Sequence, residues 1–259
     1  MSIFDLTGKV ALITGSSRGI GKAIAMALAQ QGARVVISSR NVESCQLVAQ
    51  EIRAAGGTAL ARACHVGHKE ELQALVDTTV AEWGRVDVVV CNAATNPHFG
   101  PLARISDEAF EKIIHNNVLS SLWLCNMTLP AMAERKDGAV IIVSSVSGFL
   151  GSAMLGAYGI SKAADMQLAR NLAVEWGPHN IRINCIVPGV IKTQFSRALW
   201  ADPTRAAAIA GLYPLRRLGE PDDVAGVAVL LASRAGSFIT GQALVVDGGG
   251  LIGSGEPVK

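Results

Sequence analysis

Tyr158-Gly-Ile-Ser-Lys162 sets a phenol and an ammonium group four residues apart, on one face of a helix. A phenol titrates near ~10, too high for a group that must exchange protons at neutral pH. A neighbouring cation favours the phenolate and lowers that value, which makes general acid/base chemistry accessible. The chain has only two tyrosines, and this is one of them. Taken alone, the pair is common on helix surfaces. What singles it out is its setting, behind a strand that ends Ile-Ile-Val143-Ser144-Ser145 and downstream of a glycine-rich turn.

That turn is Thr14-Gly15-Ser-Ser17-Arg18-Gly19-Ile20-Gly21, with the apolar run Val10–Thr14 before it and the alanine-rich stretch Lys22–Gln31 after it. Strand, glycine turn and helix in that order put a helix N-terminus at the carboxyl edge of a sheet. Its free N–H groups and dipole there form an anion site. Glycines let the backbone turn sharply and approach a pyrophosphate closely. The next strand ends Ser38-Ser39-Arg40, where an acid would grip a ribose 2′-hydroxyl and repel a 2′-phosphate. A hydroxyl and two guanidinium groups, Arg40 and Arg18, suit a phosphate dianion instead, so the expected cofactor is NADP(H).

The elements that must position these groups alternate along the whole chain. Strands are expected at Val10–Thr14, Arg34–Ser38, Thr58–Ala63, Asp87–Cys91, Gly138–Val143, Ile181–Val187 and Ala243–Val246. Helices are expected to about Ala54, from Lys69 to Trp83, from a Ser106 N-cap to about Met132, from Leu155 to Trp176 and from Asp222 to Ser233. Such alternation gives right-handed crossovers and a mostly parallel sheet covered on both faces. The expected fold class is therefore α/β, with residues 1–259 forming a single doubly wound Rossmann-type domain on a seven-stranded, mostly parallel sheet. The segment Thr193–Gly219 breaks the rhythm after the sixth strand, at the edge where ligands bind, and reads as a substrate lid.

Composition narrows the function. Half the residues are apolar and 17% charged, enough for a sizeable core. A net charge of +2 gives no polyanion footprint, so nucleic acid is not an expected partner. No apolar run approaches the ~18 residues of a membrane span, and the N-terminal residues do not read as a signal segment. Five scattered cysteines without a Cys-x-x-Cys pair read as reduced core thiols, which fits a cytoplasmic location. No metal site is read.

From Leu6-Thr-Gly-Lys-Val to Val245-Val-Asp-Gly-Gly-Gly250, the chain resembles the short-chain dehydrogenase/reductase family. The resemblance implies Tyr158 as general acid/base. It implies Lys162 as the group that lowers the tyrosine pKa and holds the nicotinamide ribose. The family serine thirteen residues before the tyrosine falls on Ser145 rather than Ser144, and binds the substrate oxygen. Asn117, better than Asn116, fits the asparagine that supports a water relay to the lysine. Asn92-Ala93-Ala94 matches the family Asn-Ala-Gly with its last glycine replaced, near the adenine ribose. Pro188, Gly189, Ile191 and Thr193 fall where the family meets the nicotinamide amide. One departure stands out: His65-Val66-Gly67 occupies the place of the family Asp-Val at the adenine, and His65 reads equally as a loop histidine or an adenine contact.

The motifs are closest to the NADP-dependent retinal and carbonyl reductase branch, and imply a homotetramer. Members of that branch often end in a peroxisomal tripeptide, which Glu256-Pro-Val-Lys259 does not match. The expected function is hydride transfer between nicotinamide and a carbonyl or secondary alcohol, with reduction the expected direction. Phe99, Phe149, Leu150, Leu155, Phe195, Leu199 and Trp200 would suit a bulky apolar ketone or aldehyde. A 3-oxoacyl-thioester reductase shares every motif, and a non-catalytic dinucleotide-binding sensor would share the fold.

Overall fold

Short runs of Val, Ile, Leu and Ala form the strands, because a strand covered on both faces needs apolar residues at every position. In the computed structural model, which describes residues 2–253, these strands are β1 (Val10–Thr14), β2 (Arg34–Ser39), β3 (Thr58–Ala63), β4 (Val88–Cys91), β5 (Gly138–Val143), β6 (Ile181–Pro188) and β7 (Ala243–Val246). They pair in the order β3-β2-β1-β4-β5-β6-β7, and every pairing is parallel, not merely most of them. The reading made from the C-terminal Glu256–Lys259 lies outside the described residues.

Side chains alternate across the sheet, so Ala11 and Ile13 of β1 join one apolar layer while Leu12 joins the other. The first layer is closed by α1 (Gly19–Gln30), α2 (Val42–Ala54) and α9 (Pro221–Ala232), through residues such as Ile24, Leu28, Ile52 and Val224. The second is closed by α3 (Lys69–Trp83), α5 (Ser120–Arg135) and α6 (Gly156–Trp176), through Leu72, Leu124, Leu129 and Met166. All five cysteines are buried and free. The order of strands reverses between β1 and β4, and a doubly wound sheet opens its ligand crevice at the carboxyl ends of such a pair.

The long helix expected from Ser106 to about Met132 is not continuous. It forms α4 (Asp107–Ile114), a π-helical turn (His115–Leu119) and α5, which runs on to Arg135. The cause lies in tertiary bonds that a periodicity argument does not see. The His115 ring bonds the Gly67 carbonyl at 2.8 Å, and the Asn117 amide bonds both backbone groups of Thr95. The extra residue of a π turn aims these side chains where a regular helix would not.

After β6 the chain leaves the sheet. Ile191 and Gly219 bridge in parallel, so the segment between them leaves and returns at one point of the edge. It contains α7 (Arg197–Trp200) and α8 (Pro203–Leu212).

Candidate active site

Gly15 and Gly19 carry φ of +64° and +56°, the left-handed region where a side chain is strained. Gly21 has an ordinary backbone but no room: an added Cβ would lie 2.5 Å from both Asn92 Nδ2 and the Gly15 carbonyl. Arg18 sits at the N-cap of α1 without a side-chain cap, and the first turn holds no acid. The helix thus leaves its N-terminal N–H groups and positive dipole end open to an anion. Ser17 lies half-exposed in the turn, and Ile20 anchors it to the core.

Asn92 ties β4 to this turn, donating from Nδ2 to the carbonyls of Thr14 at 2.9 Å and Gly15 at 3.0 Å. The Thr14 hydroxyl in turn accepts from the N–H groups of Asn92 and Ala93. These bonds fix the crevice between β1 and β4.

At the end of β2, Ser39 is half-buried, and Arg40 and Arg18 are exposed. Neither guanidinium pairs with a carboxylate among the described residues. His65 is not a free loop residue. Its N–H donates to Glu71 at 2.7 Å, its Nδ1 accepts from the Gly67 N–H at 3.1 Å, and its ring stacks on His68 at 4.4 Å. Burial, then the charges of His68 and Arg40, hold its pKa below the ordinary histidine value. Val66 beside it packs on the second apolar layer.

Behind β5, the two adjacent serines separate cleanly. Ser144 is buried and donates to the Lys162 carbonyl at 2.7 Å, so its hydroxyl is spent on holding α6. Ser145 is half-buried at the start of a single 3₁₀ turn, Val146–Gly148, and its hydroxyl stands beside Tyr158. Tyr158 is half-buried, and its ring packs against Phe195 of the excursion at 6.0 Å. Lys162 Nζ lies 5.7 Å from the centre of that ring, donates to the Val143 carbonyl at 3.0 Å, and is only 2% exposed. Asn117, 1% exposed, donates to Ser161 Oγ at 3.0 Å, one residue before the lysine. Asn116 points its amide oxygen toward Gly67 instead.

The electrostatics of Tyr158 differ from the sequence expectation. Desolvation pushes its pKa up, Lys162 pulls it down, and Asp165 pushes it up again, so the net direction is above the ordinary phenol. The lysine acts as expected, but burial and a second charge outweigh it. Lys162 itself stays above its ordinary value despite burial, because Asp165 and Tyr158 both favour its charge.

The last side of the site comes from the segment after β6. Pro188 ends the strand, and Gly189 lies so close to Asp247 that a Cβ would meet its Cα at 2.9 Å. Ile191 is buried at the bridge to Gly219, and the Thr193 methyl approaches Gly19, where a Cβ would lie 3.2 Å away. Phe99, Phe149 and Leu150 expose 65%, 47% and 55% of their surfaces around this edge. Leu155, Leu199 and Trp200 are half-buried, and the Trp200 indole donates to the Thr193 carbonyl at 3.0 Å.

Residues 15–250 match a family model described as Enoyl-(Acyl carrier protein) reductase. Dehydrogenase/reductase SDR family member 4 of Bos taurus is 42% identical over 246 residues, 95% of this chain and 88% of that one. The chain belongs to the short-chain dehydrogenase/reductase family. Among solved structures, 7 alpha-hydroxysteroid dehydrogenase complexed with NADH and 7-oxo glycochenodeoxycholic acid superposes with a TM-score of 0.92 at 36% identity, covering 98% of this chain and 97% of that one. A gluconate 5-dehydrogenase from Burkholderia cenocepacia in complex with NADP and tartrate gives 0.91 at 31%, covering 96% and 97%. This short-chain dehydrogenase/reductase is thus a nicotinamide-dependent oxidoreductase acting on alcohol and carbonyl groups. Its relatives include both NADH and NADP complexes, so the family alone does not choose between them.

The residues present fit such a dinucleotide: an uncapped helix N-terminus, glycines that leave space a side chain would fill, and two exposed arginines without acidic partners. Sequence reasoning missed two residues. Asp165 stands three residues after Lys162 on the same helix face, a spacing that was available as a signal. Tyr213 accepts a hydrogen bond from the Val190 N–H at 3.1 Å, a contact made only when the excursion folds back. No helix among the described residues is long and apolar enough to cross a membrane, and no group of three or more His, Cys, Asp or Glu there is arranged to hold a metal.

Proposed function

We propose that this enzyme uses NADPH to reduce apolar ketones or aldehydes to secondary or primary alcohols. The observation that carries the reading is the convergence of Ser145, Tyr158 and Lys162 at the carboxyl edge of β5, beside an uncapped glycine turn flanked by Arg18 and Arg40. The cofactor supplies the hydride. Tyr158 gives its phenolic proton to the carbonyl oxygen, and a phenol held above its ordinary pKa is protonated at neutral pH, as a donor for reduction must be. Ser145 donates a hydrogen bond to the same oxygen. Lys162 holds positive charge next to the phenol, and Asn117 supports the relay that resupplies its proton.

In this reading Gly15, Ser17, Arg18, Gly19, Ile20 and Gly21 hold the pyrophosphate, while Ser39 and Arg40 take the 2′-phosphate. His65 and Val66 flank the adenine, and Asn92 and Ala93 its ribose. Pro188, Gly189, Ile191 and Thr193 meet the nicotinamide amide, with residues 193–219 as the substrate lid. The exposed Phe99, Phe149, Leu150 and Phe195 support an apolar substrate. A cytoplasmic setting, where NADPH is kept reduced, favours the reductive direction.

The test is loss of NADPH absorbance with aryl ketones, phenyl diketones, retinal and 3-oxoacyl thioesters. Apolar ketones or aldehydes are expected to give the highest kcat/KM. A preference for the thioesters would reject the substrate class, and no turnover with any carbonyl would reject the function.

The same reading includes a homotetramer. Val174, Phe238 and Ile252 are 80%, 103% and 88% exposed, apolar surface that a subunit contact would cover. Light scattering at micromolar concentration is expected to give four times the 27.0 kDa chain mass. A monomer would reject it.

A further inference from the structure

Asp165 is 0% exposed, and carboxylates are almost never buried so completely without a partner. Its Oδ2 accepts from Lys162 Nζ at 2.8 Å, while Oδ1 has no hydrogen-bond partner. The other bond made by the ammonium runs to the Val143 carbonyl at the end of β5. Asp165 therefore sits against the lysine ammonium, one helical turn from Lys162 and two from Tyr158 along α6. The titratable groups around the pair are few. Tyr158 shares its helix, and the buried Cys185 thiol of β6 donates to the Asp165 carbonyl at 3.4 Å. Burial holds that thiol well above its ordinary range, so it stays neutral. Cys91 of β4 and Arg170 of α6 lie one shell further out.

We propose that Asp165 is a positioning residue of this site: its carboxylate pins the Lys162 ammonium to β5 and offsets that charge beside Tyr158. The inference rests on the proposed roles of Tyr158 and Lys162. A bare buried ammonium would turn toward whatever acceptor came nearest. With Asp165 opposite it, the lysine keeps its charge and a fixed location, and the phenol faces a nearly neutral pair. That arrangement keeps Tyr158 protonated, in line with the direction of its shift.

The two-tyrosine composition provides a direct test. In a Tyr213→Phe background, Tyr158 is the only phenol, and its ionisation can be followed by phenolate ultraviolet absorbance without cofactor or substrate. Adding Asp165→Asn removes one negative charge from the buried group, which lowers the pKa of whatever is coupled to it. The phenolate midpoint is expected to fall by about one pH unit, the scale of a single charge within such a site. A midpoint unchanged within about 0.2 unit would overturn the proposal, since a merely structural Asp165 changes melting temperature and not the phenol. Should Asp165→Asn not fold, Asp165→Ser is titrated in the same background, and a midpoint equal to that of Tyr213→Phe alone would overturn the proposal. The absorbance does not depend on turnover. A shifted midpoint would therefore uphold the electrostatic role of Asp165 whatever the activity, and Tyr158 as the proton donor is tested separately by the turnover of Tyr158→Phe.

Discussion

Tyr158→Phe is expected to lower kcat for carbonyl reduction by roughly 10²–10⁴-fold, with NADPH affinity and melting temperature near those of the wild type. The ring is held by packing: Phe195 approaches it at 6.0 Å and Lys162 at 5.7 Å, and both contacts survive loss of the hydroxyl. No donor to a protein acceptor is lost either, if the phenol serves the reacting oxygen as proposed. At ~1.4 kcal/mol per tenfold, the effect corresponds to about 3–5 kcal/mol of transition-state stabilisation. A variant keeping more than about a tenth of wild-type turnover would show that the proton comes from elsewhere. Lys162→Met is a poorer probe. It strands the Asp165 carboxylate in the core, and breaking a buried pair from one side costs about 3–5 kcal/mol. Lost activity there would mix chemistry with instability.

Arg40→Asp is expected to reverse the cofactor preference. Arg40 is exposed with no carboxylate partner among the described residues, and its charge is felt by His65, which places it near the loop after β3. Hydrogen bonds to charged groups contribute about 1.5–3 kcal/mol, so Arg40→Ala should weaken NADPH about 10- to 100-fold and leave NADH almost unchanged. Arg40→Asp adds repulsion against a 2′-phosphate and offers a ribose acceptor to NADH. Because the contact is largely electrostatic and exposed, rising ionic strength should weaken NADPH more than NADH. The measurement is kcat/KM with both cofactors for the wild type and the two variants. A wild-type enzyme that prefers NADH would return Arg40 to the role of a surface charge.

Most of the frame was legible in the sequence, because it depends on signals confined to a few neighbouring residues. The runs Thr58–Ala63, Gly138–Val143 and Ala243–Val246 are strands with the expected bounds, and Lys69–Trp83 is the expected helix. Glycines 15, 19 and 21 signalled the turn, and the strand–turn–helix order placed it at the sheet edge. The family resemblance, through its serine thirteen residues before the tyrosine, pointed to Ser145, while Ser144 is the serine that bonds α6.

Tertiary packing decided the rest. The π turn at His115–Leu119 exists because Gly67 and Thr95, distant in the chain, bond His115 and Asn117, and local periodicity carries no trace of them. His65 is fixed by Glu71 and His68, near in the chain but brought onto it only by the shape of the turn from β3 into α3. The ionisation of Tyr158 is the sharpest case. Four-residue spacing established that Lys162 would favour the phenolate, and it does. How far burial and Asp165 oppose it depends on how much water the closed site excludes. Spacing along a helix sets which charges meet, but the strength of their interaction is set by the dielectric around them, which exists only once the sheet, α6 and the returning excursion have packed.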